Sequence, residues 1–128
     1  MATVPIDLTD TDIPENTSQR INFTVVDEDG VGIPAASLTS LTVTLYNKRD
    51  EAIINSRTDL DILNVNGGVV DVDGVGSWLM TPDDNPILVT TSKAGWEHHI
   101  ALFEWAWGSG KKGKQPVKLK VCDLKHVP

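Results

Sequence analysis

Apolar and polar residues alternate along most of this chain in short runs, and Gly, Asp, Asn and Pro cut the runs apart. The run Arg20-Ile-Asn-Phe-Thr-Val-Val-Asp27 puts Ile21, Phe23 and Val25 on one face, the period-two mark of a half-buried strand. Asp27-Glu-Asp-Gly30 then turns the chain, because Asp side chains bond nearby backbone and Gly tolerates a positive φ. Residues 31–38 form a connector through Pro34. Residues 39–47 predict a second strand, with Leu41, Val43 and Leu45 inward and Thr42 and Thr44 outward. After a polar turn, residues 52–56 predict a short return strand and residues 60–65 another, and Asn66-Gly67-Gly68 is a hairpin signal. Val69-Val70-Asp71 follows, then a turn at Asp73-Gly74 and a strand over residues 77–80. Residues 82–86, with proline at both ends, predict a turn or a single helical turn.

Residues 96–107 are apolar on both faces, with Ile100, Leu102 and Ala106 on one side and Ala101, Phe103 and Trp105 on the other. A strand of that kind belongs at the centre of a packed sheet. Residues 108–114 predict a basic hairpin loop. Val117, Leu119 and Val121 then make a closing strand, with Lys118 and Lys120 facing water.

Seven or eight short strands, no internal repeat and no convincing helix predict an all-β, immunoglobulin-like antiparallel sandwich over residues 19–128. Its expected core is Phe23, Val25, Leu41, Val43, Leu45, Trp78, Leu102 or Phe103, Val117 and Leu119. Residues 1–18 are polar, acidic and punctuated by proline, and they read as an N-terminal arm. Ile6 and Leu8 alternate, which leaves a short edge strand open. Ile6, Leu8 and Ile13 could also fill small pockets on a neighbour or add a strand to its sheet.

Charge sharpens this picture. The net charge of the 128 residues is −7, unevenly placed. Residues 1–84 hold fifteen acids and four bases, a balance of −11, whereas residues 108–128 hold six lysines and one Asp, a balance of +5. Opposite charges at the two ends suit head-to-tail contacts between copies or docking on a charged neighbour. The single cysteine, Cys122, can form no internal disulfide. Met1-Ala-Thr-Val-Pro5 has neither a basic start nor an apolar stretch, and no apolar run approaches the roughly 20 residues that span a bilayer. A soluble protein made in a cytosol is the expectation.

Candidate chemistry is sparse. Asp71-Val-Asp73-Gly74 and Asp27-Glu-Asp29-Gly30 look like the start of calcium loops. An EF-hand register, however, puts Val75 and Pro82, or Val31 and Leu38, where oxygen ligands belong, so turn chemistry accounts for both. His98 and His99 in one strand point to opposite faces and cannot share a metal on one face; a third ligand would have to come from Cys122, Glu97 or His126. Glu104 sits among Phe103, Trp105 and Trp107 but has no second carboxylate placed beside it. No catalytic, cofactor or metal residue is therefore expected. Four tryptophans exceed the one Tyr and two Phe. Trp78 and Trp105 suit the core, and Trp96 suits an exposed interface anchor. Lys111, Lys112 and Lys114 suit contact with an acidic protein surface. Without flanking aromatics or a broad basic face they do not suit nucleic acid. Asn16-Thr17-Ser18 and Asn22-Phe23-Thr24 match the glycosylation pattern, but no secretion route is visible.

The order Phe23-Thr-Val-Val-Asp-Glu-Asp-Gly30, Leu41-Thr-Val-Thr-Leu-Tyr46, Ile53-Ile-Asn55, Gly67-Gly68-Val-Val-Asp71, Asp73-Gly74, Trp78-Leu-Met-Thr-Pro-Asp83 and the strand from His98 to Trp107 resembles a family of small tailed-bacteriophage structural proteins with Ig-like folds. It is also similar to the N-terminal Ig-like domain of phage baseplate upper proteins. The likeness spans residues 20–122. It implies an assembly role without catalytic residues: a non-enzymatic virion component, in multiple symmetric copies, docking on capsid, neck or tail proteins, with no membrane or nucleic-acid partner. The runner-up expectation is a bacterial Ig-like module that binds carbohydrate or cell surfaces, which would carry a row of exposed aromatics. A small hydrolase would need a paired acid and base that the sequence does not offer.

Overall fold

The computed structural model describes residues 6–86 and 96–122. Its strands are β1 (Ile6–Pro14), β2 (Gln19–Thr24), β3 (Leu38–Asn47), β4 (Leu60–Asp61), β5 (Gly68–Val70), β6 (Val75–Met80), β7 (Trp96–Trp107) and β8 (Lys111–Cys122). They form a five-stranded sheet ordered β1-β8-β7-β3-β4 and a three-stranded sheet ordered β2-β6-β5. The two sheets pack as a sandwich, and the strand order is immunoglobulin-like. The two-faced strand β7 is central, as its pattern predicts, with β3 and β8 on its flanks.

Three aromatic rings meet between the sheets. Phe23 of β2 stacks on Phe103 of β7 with centroids 4.2 Å apart and planes 21° apart. Trp78 of β6 meets Phe103 edge-on at 6.2 Å and 78°. Around them pack Ile21, Val25, Leu41, Val43, Leu45, Met80, Val117 and Leu119, all buried. Of the alternatives Leu102 and Phe103, Phe103 faces the core and Leu102 the outside of the sheet. Two glycines make room for this packing. A Cβ at Gly76 would lie 2.5 Å from the Phe23 ring, and one at Gly113 would lie 2.4 Å from Nε1 of Trp105. That indole N–H donates to the Val26 carbonyl at 3.0 Å, tying β7 to the segment that follows β2.

The first eighteen residues differ from the expected arm over the part that is described; residues 1–5 lie outside it. Residues 6–14 form β1, a parallel edge strand on β8, pairing Ile6 with Val117 and Ile13 with Val121. Between Asp7 and Asp12 the strand advances five residues while β8 advances two, from Lys118 to Lys120, so an irregularity carries Leu8 and Thr9 outside the ladder. Ile13 is 5% exposed and belongs to this chain's own core. The domain boundary expected at residue 19 thus falls inside one packed unit.

Three further differences have backbone causes. The return strand over residues 52–56 reduces to one bridge, Ile53 to Tyr46, and the run over 60–65 to the two-residue β4. Glu51, Asn55, Ser56, Asp59, Asn64 and Asn66 all have φ between 48° and 61°, and repeated left-handed residues prevent an extended strand. Asn66-Gly67 does adopt the paired positive φ of a hairpin turn, 53° and 88°, yet it joins β4 of one sheet to β5 of the other. It is a crossover between layers. Finally, the basic hairpin loop is only residues 108–110, and Lys111, Lys112 and Lys114 are strand residues of β8.

Because β1 covers the β8 edge and buries Ile13, Ile13→Ala should lower stability by about 2–4 kcal/mol. Deleting residues 1–14 should lower the melting temperature and promote aggregation through the bared edge. Chemical denaturation and light scattering check both.

Candidate functional site

Alternation along the strands of the larger sheet decides what its outer face presents. Lys112, Lys114, Pro116, Lys118 and Lys120 share that side of β8, opposite Ala106, Glu104, Leu102, Ile100 and His98 of β7. Four lysines thus form a row about 26 Å long, at about 3.3 Å per residue. Beneath it Ile100 is 9% exposed although it lies outside the core between the sheets, since neighbouring side chains cover it. Lys114 Nζ stands 3.8 Å from Glu104 Oε2. Lys112, Lys114, Ser40, Thr42, Glu104 and Ala106 border an open depression of about 160 Å³, smaller than the roughly 300 Å³ at which small-molecule pockets begin.

The expected interface residues therefore separate. Lys112 and Lys114 lie on this face. Lys111 points the other way and its Nζ donates to Glu28 Oε1 at 2.9 Å, pinning the hairpin to the turn after β2. That bond holds the Glu28 carboxyl below the ordinary value and raises Lys111 above its own. Both groups are half exposed, so the pair adds little stability. Trp96, 38% exposed, opens β7; its ring lies 4.5 Å from that of His98, with Lys120 Nζ 5.4 Å from its centroid. Leu8 is 37% exposed on β1, Ile6 packs partly against the core, and Ile13 is withdrawn into it. Trp78 and Trp105 are buried and Trp107 packs against the core, so among the described residues the tryptophans form no exposed row.

The two histidines do point apart. His98 faces outward, and His99 is fully buried at the end of the interior, its Nε2 3.0 Å from Glu97 Oε1. This contact leaves the other ring nitrogen, Nδ1, buried with no partner among the described residues. Asn47, directly opposite on β3, likewise has an unpartnered Nδ2. Burial, against the pull of Glu97, holds the His99 pKa below its ordinary value. His126, one of the possible third ligands, lies outside the described residues. No group of three metal-binding side chains forms among the described residues.

The sequence reading missed a buried hub at Asp84. Its Oδ1 accepts from Arg57 Nε at 2.8 Å and from Asn55 Nδ2 at 2.9 Å, and its Oδ2 accepts from Thr81 N at 2.7 Å and Thr81 Oγ1 at 3.0 Å. Burial alone pushes this carboxyl up, but the donors Arg57, Asn55 and Thr81 outweigh it and hold the pKa below the ordinary value. The local signal was present: Thr81-Pro82-Asp83-Asp84 is a capping box around the one-turn 3-10 helix Pro82–Asp84. No short-range pattern announces Arg57, 27 residues away. Next to the hub, Asn85 Nδ2 donates to the Thr17 carbonyl at 2.8 Å.

The two Asp-Gly turns prove to be one device used twice. Asp27 Oδ1 accepts from Asp29 N and Val31 N, and Asp71 Oδ1 accepts from Asp73 N and Val75 N. The turns are also neighbours, since Val25 N donates to Gly74 O at 2.8 Å.

No family model matches this chain, and neither does any curated protein or solved structure.

Depressed pKa values at buried and partly buried groups shape the acid stability. His99 takes up its proton at lower pH when folded than when unfolded, so its stability contribution is complete above about pH 6.5 and is lost as pH drops below it. Asp84 adds stability above about pH 3.9 that is lost as pH falls through its lower folded value. His98, also depressed by burial and nearby lysines, acts in the same direction as His99. Urea unfolding from pH 7.5 to 3 should show the decline beginning below about pH 6.5. His99→Gln should flatten the upper part of that decline and leave the lower part in place.

Proposed function

We propose that this chain is a non-enzymatic structural component of a tailed-bacteriophage virion, docking on neighbouring capsid, neck or tail proteins in several copies. The observation that carries the docking part is the lysine row of β8, displayed on a rigid central sheet of a molecule whose net charge is −7. Such a row favours an acidic protein surface and speeds encounter with it. The strand-and-turn resemblance over residues 20–122 supports the virion setting. An assembly role also fits the buried polar groups. Asp84 and His99 are fully enclosed, where each can hold the fold but neither can meet a substrate.

The test is mass spectrometry of gradient-purified particles from cells that produce this chain. The expected result is the chain banding with particles in several copies each, and losing occupancy when Lys112 and Lys118 are both changed to Glu. A chain that is abundant in the lysate and missing from particles would overturn the reading.

A further inference from the structure

The outer face of the smaller sheet is the counterpart of the lysine row. Alternation along β5 and β6 turns Gly68, Val70, Gly76, Trp78 and Met80 inward. It leaves Val69, Val75 and Leu79 on the outside, 54%, 53% and 42% exposed, beside Ser77 and the polar β2 residues Arg20, Asn22 and Thr24, with Arg20 donating to Ser77 at the end away from the acidic turns. Val72, at the tip of the adjoining turn, is 79% exposed. Aliphatic side chains grouped on one sheet face at that exposure mark an interaction surface more often than scattered single ones do. One end of the face is rimmed by the paired acidic turns, where Asp29 and Asp73 are exposed. The outer face of the larger sheet has the same plan with the sign reversed: Leu102, Pro116 and Ala106 are partly exposed, and the lysines of β8 frame them. Lysine stems also lie readily over apolar surface while their ammonium groups reach for acids at its rim.

We infer that the molecule docks on copies of itself, with the lysine-framed face of one copy against the acid-rimmed aliphatic face of the next. This inference stands apart from the virion reading and needs no phage partner. The two surfaces differ, so the contact is heterologous and does not close on itself as a two-fold dimer does; it propagates as a stack or ring. A face-to-face stack repeats about every 20 Å, two sheet spacings of about 10 Å. The smaller sheet limits the strength. Three strands of at most six residues present about 14 Å by 20 Å, well below a standard interface, and each copy carries net negative charge. Association is therefore weak in dilute solution and takes hold where copies are concentrated.

Sedimentation equilibrium up to millimolar protein tests this. In 0.01 M salt, with a Debye length of about 30 Å, the average mass of the wild type should climb with concentration past that of a dimer. In 1 M salt, with a Debye length of about 3 Å, it should fall back. Two variants each spoil one face: Lys112→Gln with Lys118→Gln, and Val69→Lys with Leu79→Lys. Asp29→Lys with Asp73→Lys replaces the second pair if its circular dichroism departs from wild type. Each variant alone should associate about tenfold more weakly. Their equimolar mixture should restore the contact through the two intact faces, and stop at one-to-one dimers. The inference is overturned if the wild type stays monomeric at millimolar concentration, if either variant associates like wild type, or if the mixture forms no more dimer than its components.

Discussion

The stacking of Phe23 on Phe103 is the contact on which the sandwich depends, because it joins the central strand of the larger sheet to the smaller sheet at the middle of the interior. In antibody domains the strands in these two positions are joined by a disulfide, worth about 2–4 kcal/mol. This chain has one cysteine and uses packed rings instead. The stack and the edge-on Trp78 contribute about 0.5–1.5 kcal/mol per aromatic pair beyond the area they bury. Neighbouring positions are shaped around them. Gly76 is required beside Phe23, and Gly113 lets the Trp105 indole lie flat enough to reach the Val26 carbonyl.

The ends of the sandwich are closed by polar groups. At one of them Asp84 gathers Arg57, Asn55 and Thr81, so a loop of left-handed residues, the segment after β6 and, through Asn85, the turn after β1 are held together. A fully buried carboxylate is stabilising only while those donors are in place. Lys111 and Glu28 fix the β7–β8 hairpin to the smaller sheet from outside. Outside the core and these ends, the described residues leave two outer sheet faces exposed. There the alternation of each strand places lysines on one and valines with acidic turns on the other.

Much of this was legible in the sequence wherever period-two patterning was strong. β2, β3, β6, β7 and β8 lie within a few residues of their expected places, and the expected core residues are buried, with Phe103 rather than Leu102 facing inward. The opposed directions of His98 and His99 follow from the same period. β1 was legible only as a possible short edge strand at Ile6 and Leu8, because an irregularity separates them from Ile13 and because its partner β8 is remote in the sequence. The strands expected over residues 52–56 and 60–65 shrink to one bridge at Ile53 and to β4, because positive φ at Glu51, Asn55, Ser56, Asp59 and Asn64 interrupts the extended backbone around them. The Asp84 hub was half visible, as a capping box; its Arg57 comes from a remote loop that no local pattern specifies. The lysines are legible in the sequence as a charge block. Which lysines share a face became clear only with the register of β8, which sends Lys111 away and brings Lys118 and Lys120 in.

The two sheets are joined by ring-on-ring packing and not merely by filled volume. A double-mutant cycle on Phe23→Leu and Phe103→Leu, read by urea unfolding, tests this most directly. The predicted result is that the two substitutions together destabilise less than the sum of each alone, by a coupling of about 0.5–1.5 kcal/mol. Strict additivity, with no measurable coupling, would contradict it.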